Sequence, residues 1–181
     1  MPKNPRQCWR ARPGAFMKSF HVGIAAEAFA AGIFARTGCD VLVQYGANQP
    51  EYDLMVARDG RSLKISVKGS QNGGWGLVQS HKKGRSYTEA IDYWVSQQST
   101  SIVFCLVQFK DVELTECPRV YLAGIGEVAS MLKRSRGNIG STRIREQWSY
   151  KRGIAAGVID AIPEEWKFTE ARVSELLSHG A

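Results

Sequence analysis

The sequence predicts an α/β domain of the α+β kind, with a mixed central β-sheet flanked by helices. Three observations carry that expectation: a long, largely apolar helix pattern near the start of the chain, a hairpin announced by Asp59-Gly60, and the β-branched and aromatic run "SIVFCLVQF" at 101–109, which has central-strand character. Strands interleaved with helix signals call for a sheet covered by helices.

The first helix is predicted over Phe16 to Thr37, stopped by Gly38. Stepping 100° per residue puts Phe16, Phe20, Gly23, Ala31 and Phe34 within about 40° of Glu27. Glu27 thus centres a face of aromatic and small residues. Val22, Phe29 and Ile33 line the other side, so the helix is expected to be buried over most of its circumference. Three strands follow, at Val41 to Tyr45, Tyr52 to Arg58 and Ser62 to Lys68. The Asp-Gly turn sets the register of the last two, pairing Arg58 with Arg61, Val56 with Leu63, Leu54 with Ile65 and Asp53 with Ser66. Alternation places Tyr52, Leu54, Val56, Leu63, Ile65 and Val67 on one apolar face, and Asp53, Ser66 and Lys68 on the other.

After a Gly-rich loop, Ser86-Tyr87-Thr88-Glu89 has the form of a capping box, and Tyr87, Ala90, Ile91, Trp94 and Val95 recur at helical spacing, so this second helix covers the sheet. The 101–109 strand and a strand over "RVYLAGI" come next, then a short helix turning Val128, Ala129 and Leu132 inward. A further strand precedes the last helix, which Thr169 caps, Phe168 staples onto Val173, and Leu176 and Leu177 bury.

The chain has 181 residues, 44% apolar and 23% charged, the composition of one soluble globular domain. No apolar run approaches the roughly 18 residues that cross a bilayer, and the N-terminus lacks an apolar leader core, so a cytoplasmic protein without a membrane partner is expected. Cys8, Cys39, Cys105 and Cys117 stand far apart with no CxxC spacing, which argues for reduced thiols rather than a zinc site or disulfide framework. The net charge is +7, but five bases (Lys3, Arg6, Arg10, Arg12, Lys18) lie in the first 18 residues without an acid, so the remainder carries only two of those charges. Residues 1–16 are read as a basic arm, or as sequence ahead of a true start at Met17, and 17–181 as a single domain. His21, His81 and His179 do not cluster with acids or cysteines, and there is no GxSxG, P-loop or dinucleotide fingerprint, which leaves acyl transfer, nucleotide hydrolysis and hydride transfer without support.

Three features converge: a carboxylate inside an apolar helix (Glu27), a carboxylate at the start of a hairpin strand (Asp53), and a lysine at the end of its partner (Lys68). An unpaired buried carboxylate costs several kcal/mol, so Glu27 needs a counter-charge, a metal or a proton. It pairs with Arg36 or Lys68 if its role is structural. Gly23 and Ala31, one turn to either side, leave room for a strand or ion to approach.

With "AAEAF" in the first helix, "PEYDLMV" on the second strand and "KISVKGS" on the third, residues 22–70 resemble the restriction-endonuclease-like, PD-(D/E)XK, nuclease superfamily. The resemblance implies a restriction-endonuclease-like core and a metal-dependent endonuclease that hydrolyses phosphodiester bonds in DNA. Asp53, Glu27 and the Val67 backbone carbonyl would then hold Mg²⁺ (or Mn²⁺), and Lys68 would orient or deprotonate the attacking water. Ser66 departs from the pattern, standing where the superfamily carries an acid. It offers a hydroxyl or a water-mediated contact, and either Glu27 or Glu51 supplies the second carboxylate. The runner-up reading is a catalytically inactive protein of the same fold that binds nucleic acid or a protein partner. Double-strand cleavage by one small domain asks for a homodimer.

For the nucleic acid itself, Ser70 and Gln71 directly after the strand, and His81, Lys82, Lys83 and Arg85 before a helix N-terminus, are the candidate phosphate contacts. A second basic region, "LKRSRGNIGSTRIR" and "YKR", carries no base-reading signature. Trp75 in "GGWG" either stacks on a base or closes the core, the core being the expected place.

Overall fold

The structure, a computed structural model, describes residues 17–44 and 52–179; the basic arm, Phe16, Tyr45 and Glu51 lie outside the described residues. Helix α1 (Ser19–Arg36) leads into strands β1 (Asp40–Val43), β2 (Leu54–Arg58) and β3 (Arg61–Ser70), then a short strand β4 (Gly74–Gly76) and helix α2 (Tyr87–Ser96). Strands β5 (Ile102–Gln108) and β6 (Arg119–Gly124), helix α3 (Ile125–Asn138), three short strands β7 (Arg143–Arg145), β8 (Gln147–Ser149) and β9 (Ile159–Ala161), and helix α4 (Glu170–His179) complete the chain.

The central sheet has five strands in the order β1-β2-β3-β5-β6, antiparallel throughout except for the parallel pair β3 and β5 that α2 connects. It is therefore mixed, as the sequence predicts. The hairpin register is the predicted one from Arg58↔Arg61 to Leu54↔Ile65. Asp59 and Gly60 both take positive φ (53° and 75°), the backbone that a two-residue turn matched to strand twist demands. The capping box at Ser86 and Glu89 forms, and the Thr169 hydroxyl accepts from the Arg172 N–H at 3.1 Å.

Two apolar layers sandwich the sheet. On one face α1 and α4 bury Ala26, Ala30, Phe34, Val173 and Leu177 against Leu54, Val56, Leu63, Ile65, Val67 and Cys105. On the other α2 and α3 bury Ala90, Ile91, Trp94, Val128 and Leu132 against Ile102, Phe104 and Leu106. All seven residues of β5 are buried, as expected of a strand covered on both sides.

The environment of α1 differs from the sequence expectation. Its buried residues are Val22, Ala26, Ala30 and Phe34, a single stripe spaced by four, while Phe20 is 72% and Ile24 50% exposed. One sheet face fully covers only one stripe of a helix, so Phe20 and Ile24 face outward while Phe29, Ala31 and Ile33 are partly buried against the edge of the core. Glu27 lies beside the stripe, half-buried, rather than at the centre of a buried aromatic face.

Candidate functional site

The candidate site lies at the start of β2, where β3 runs on past it. The regular ladder stops at Leu54↔Ile65. Beyond it the Asp53 N–H donates to the Ile65 carbonyl at 2.8 Å, and the Val67 N–H donates to Asp53 Oδ2 at 2.6 Å. The expected Asp53–Ser66 pair is thus replaced by a side-chain cap. Val67 presents its N–H to the β2 side beyond the start of that strand, and a buried donor needs an acceptor, which the carboxylate supplies. In a strand the N–H and C=O of one residue point the same way, so the Val67 carbonyl is directed into the same gap.

This cap decides the geometry. A carboxylate bonded to a strand N–H lies near the plane of the sheet, where groups from both faces can meet it. Glu27 comes from the α1 face. Lys68 is rooted on the opposite face with Ser66, in register with Leu106 of the α2–α3 layer. The charges nonetheless act on one another: the Glu27 carboxyl is held above its usual range, first by burial and then by the Asp53 charge, with the Lys68 ammonium pulling it back. Burial, and secondarily the Asp53 charge, also pushes up the Cys105 thiol on β5.

The approach of α1 rests on a residue that sequence reasoning passed over. A Cβ at Gly69 would stand 2.7 Å from the Val22 carbonyl oxygen and 2.9 Å from Ala26 Cβ, so only glycine lets the helix seat on β3 one residue after Lys68. Gly23, credited with this role from the helix wheel, has nothing within 4 Å of the place a Cβ would occupy. The signal for Gly69 was a glycine inside a strand, which marks close backbone approach. Trp75, buried as expected, donates its indole N–H to the Lys68 carbonyl at 2.8 Å and so fixes the backbone that carries the ammonium.

The other predicted residues have different partners. Ser66 is 5% exposed, in register with Phe104, so its hydroxyl sits in the α2–α3 layer. Ser70 is equally buried, and its hydroxyl donates to the Gly74 carbonyl at 2.9 Å, closing the loop into β4. Gln71 spends both ends of its amide on Met17, accepting from the N–H at 2.9 Å and donating to the carbonyl at 2.6 Å. These two side chains are thus engaged in holding a loop and the entry to α1. In the basic loop, the Lys82 ammonium lies 4.8 Å from the Tyr87 ring centre and donates to the Arg85 carbonyl, while the Arg85 guanidinium stacks 4.3 Å over Tyr93 and donates to the His81 carbonyl. Lys83 projects into solvent.

The residues that could hold a cation offer hard oxygens: the Asp53 oxygen not used by Val67, Glu27 and the Val67 carbonyl. Among the described residues no group of three or more His, Cys, Asp or Glu gathers anywhere. Two carboxylates and a carbonyl suit Mg²⁺, which keeps several of its waters, better than they suit Ca²⁺ or Zn²⁺. The like-charge repulsion on Glu27 is what a bound cation relieves.

No protein-family model matches this sequence, and no curated protein matches it. Among solved structures the chain is similar to a bacterial homing endonuclease, I-Ssp6803I, at 17% identity and a TM-score of 0.47, over 91% of this chain and 95% of that one.

Proposed function

We propose that this chain is a divalent-metal-dependent endonuclease of the PD-(D/E)XK kind, hydrolysing phosphodiester bonds in DNA. What supports the reading most is that the charges of Asp53 and Lys68, from two other elements, both act on the Glu27 carboxyl beside the gap where Asp53 caps the Val67 N–H. Asp53, Glu27 and the Val67 carbonyl would hold Mg²⁺ or Mn²⁺. When bound, the ion supplies Lewis acidity toward the scissile phosphate and its water.

The residues divide the remaining work. The Val67 N–H fixes the rotamer of Asp53, leaving one oxygen free to face the gap. Glu27 contributes a carboxylate already partly stripped of water. The Lys68 ammonium would offset the charge that builds on the phosphate and orient the attacking water, and its neutral amine form would accept that water's proton. Ser66, neutral and turned into the α2–α3 layer, adds no carboxylate, so cation affinity rests on Asp53 and Glu27.

Purified protein incubated with supercoiled plasmid and Mg²⁺ or Mn²⁺, beside Lys68→Ala and Asp53→Asn, tests the reading. Nicking or linearisation that both substitutions abolish supports it. Equal nicking by all three proteins assigns the activity to a contaminant and removes the case. The buried Ser66 favours one second reading, a protein of this fold that binds nucleic acid without cutting it. That reading is supported by metal-independent DNA affinity with no cleavage in either ion.

A further inference from the structure

Outside the site just described, the feature with the most unexplained chemistry on its surface is the hairpin of β8 and β9. It forms its own two-stranded sheet, with register Gln147↔Ala161, Trp148↔Asp160 and Ser149↔Ile159, and is not part of the central five strands. Its connecting loop is ordered by its own bonds: Gly157 N–H to the Tyr150 carbonyl at 2.8 Å, Tyr150 N–H to the Val158 carbonyl at 2.9 Å, and Ala156 N–H to the Gly153 carbonyl at 3.0 Å. Ala155, in the middle of the loop, is 2% exposed, whereas its neighbour Ile154 is 94% exposed. Ile154 is therefore held out into solvent by an anchored turn. Ile159 at 64% and Trp148 at 44% extend the exposed apolar surface, and the Arg145 guanidinium stacks 4.4 Å over the Trp148 ring.

The charges are one-sided. From 147 to 159 the ribbon carries Lys151 and Arg152, both exposed, and no acid. The flanking acids are committed elsewhere. Asp160 is buried and accepts from the Arg136 N–H and the Tyr150 hydroxyl at 3.0 Å each, while Glu146 is bonded to Arg119 at 2.7 Å and to the Tyr121 hydroxyl at 2.8 Å. The base of the ribbon is tied to the loop that leaves β3, through the Glu146 N–H and the Gly73 carbonyl at 3.0 Å.

We infer that the β8–β9 ribbon is a docking arm for double-helical DNA, entering the major groove with Lys151 and Arg152 on the flanking phosphates and Ile154 against the base edges. A two-stranded ribbon has the width the major groove admits, cations without competing acids suit phosphate, and an exposed aliphatic tip suits the apolar edge that thymine methyls present there. The inference deepens the nuclease reading and rests on it for the choice of DNA as partner. The tie to Gly73 gives a bound duplex a fixed relation to the strand that bears Lys68.

The test is fluorescence anisotropy of a labelled 30-bp mixed-sequence duplex with the full chain in EDTA, so that binding is read apart from cleavage. Lys151→Ala/Arg152→Ala is expected to lower affinity roughly 60-fold at 0.1 M salt and to reduce the slope of log affinity against log salt by about 1.8, the signature of two lost phosphate contacts. Ile154→Ala should weaken binding several-fold with the slope unchanged. Methyl green, a major-groove ligand, should compete, and the minor-groove ligand netropsin should not. Unchanged affinity and slope in the double variant overturn the inference, as do failure of the wild type to bind duplex, tighter binding to single-stranded RNA of equal length, or displacement by netropsin alone. Ribbon-dependent binding without cleavage in Mg²⁺ leaves the arm standing and removes the nuclease reading. Lys68-dependent cleavage with a double variant that binds normally does the reverse.

Discussion

Gly69→Ala offers a direct test of how the fold positions the site. The added methyl would lie 2.7 Å from the Val22 carbonyl oxygen and 2.9 Å from both Ala26 Cβ and Val22 Cγ1. The first of these is helix backbone and the second a buried methyl without a rotamer to change, so relief requires α1 to move away from β3 by a few tenths of an ångström. Overpacking of this kind costs about 1–3 kcal/mol. For a chain of this length a central value of about 2 kcal/mol corresponds to a fall in Tm of roughly 4–8 °C. Urea denaturation followed by tryptophan fluorescence measures it. Gly32→Ala is the matched control, since it lies within the same helix with nothing within 4 Å of its Cβ position, and it should gain about 0.5–1 kcal/mol from helix propensity alone. Because the retreat of α1 carries Glu27 with it, cleavage by the folded Gly69→Ala protein should fall measurably, though by less than the roughly hundredfold that a full ångström of misplacement costs. A Gly69→Ala protein as stable as wild type, or a Gly32→Ala protein equally damaged, would show that the close seating of α1 is not what sets this site.

Glu27→Gln should raise the denaturation midpoint at pH 8 but not at about pH 3.5. Burial and Asp53 raise the folded carboxyl above its unfolded value, so the folded chain keeps a proton that the unfolded chain has lost, stability falls as pH rises through that window, and the penalty is complete above it. Asp53→Asn retains an acceptor for the Val67 N–H and should fold normally while losing cleavage, whereas Asp53→Ala orphans that donor and should cost about 1–3 kcal/mol in chemical denaturation. Gln71→Ala removes both bonds to Met17 and should speed amide exchange in the first turn of α1 without changing it in β5.

The hairpin was legible because its information is local. Asp59-Gly60 dictates a turn, the turn dictates a register, and alternation then dictates faces, so Leu54↔Ile65 followed from residues within a dozen positions of each other. The capping box at Ser86 was legible for the same reason. What could not be read was long-range. Whether Phe20 or Val22 faces the sheet depends on how α1 rotates when it seats, and that is fixed by the missing side chain at Gly69, some forty-seven positions from Val22. Likewise Ser70 and Gln71 look like free polar residues until the β4 loop and Met17 arrive to take their hydrogen bonds. The short strands β7 to β9 carry too few residues each for a period to show, and β4 hides inside a glycine-rich loop.

The cap on Val67 also explains how a site can be assembled from groups rooted on both sides of a sheet. Had β2 continued, a backbone carbonyl would satisfy that N–H, and Glu27 and Lys68 would be separated by an unbroken strand. Starting β2 one residue late replaces a neutral acceptor with a charged one at Val67, with α1 packed on one face of the sheet there and Lys68 rooted on the other. The arrangement lowers stability, because it leaves two carboxylates close enough to raise the proton affinity of one of them, and no described salt bridge involves either. A fold under selection for stability alone would replace Glu27 with an apolar residue to extend the Val22–Ala26–Ala30–Phe34 stripe. Millimolar Mg²⁺ should therefore raise the midpoint of the wild type more than that of Glu27→Gln or Asp53→Asn, since a ligand that binds only the folded state stabilises it by mass action. Equal shifts in all three proteins would place the cation elsewhere, and with it the chemistry.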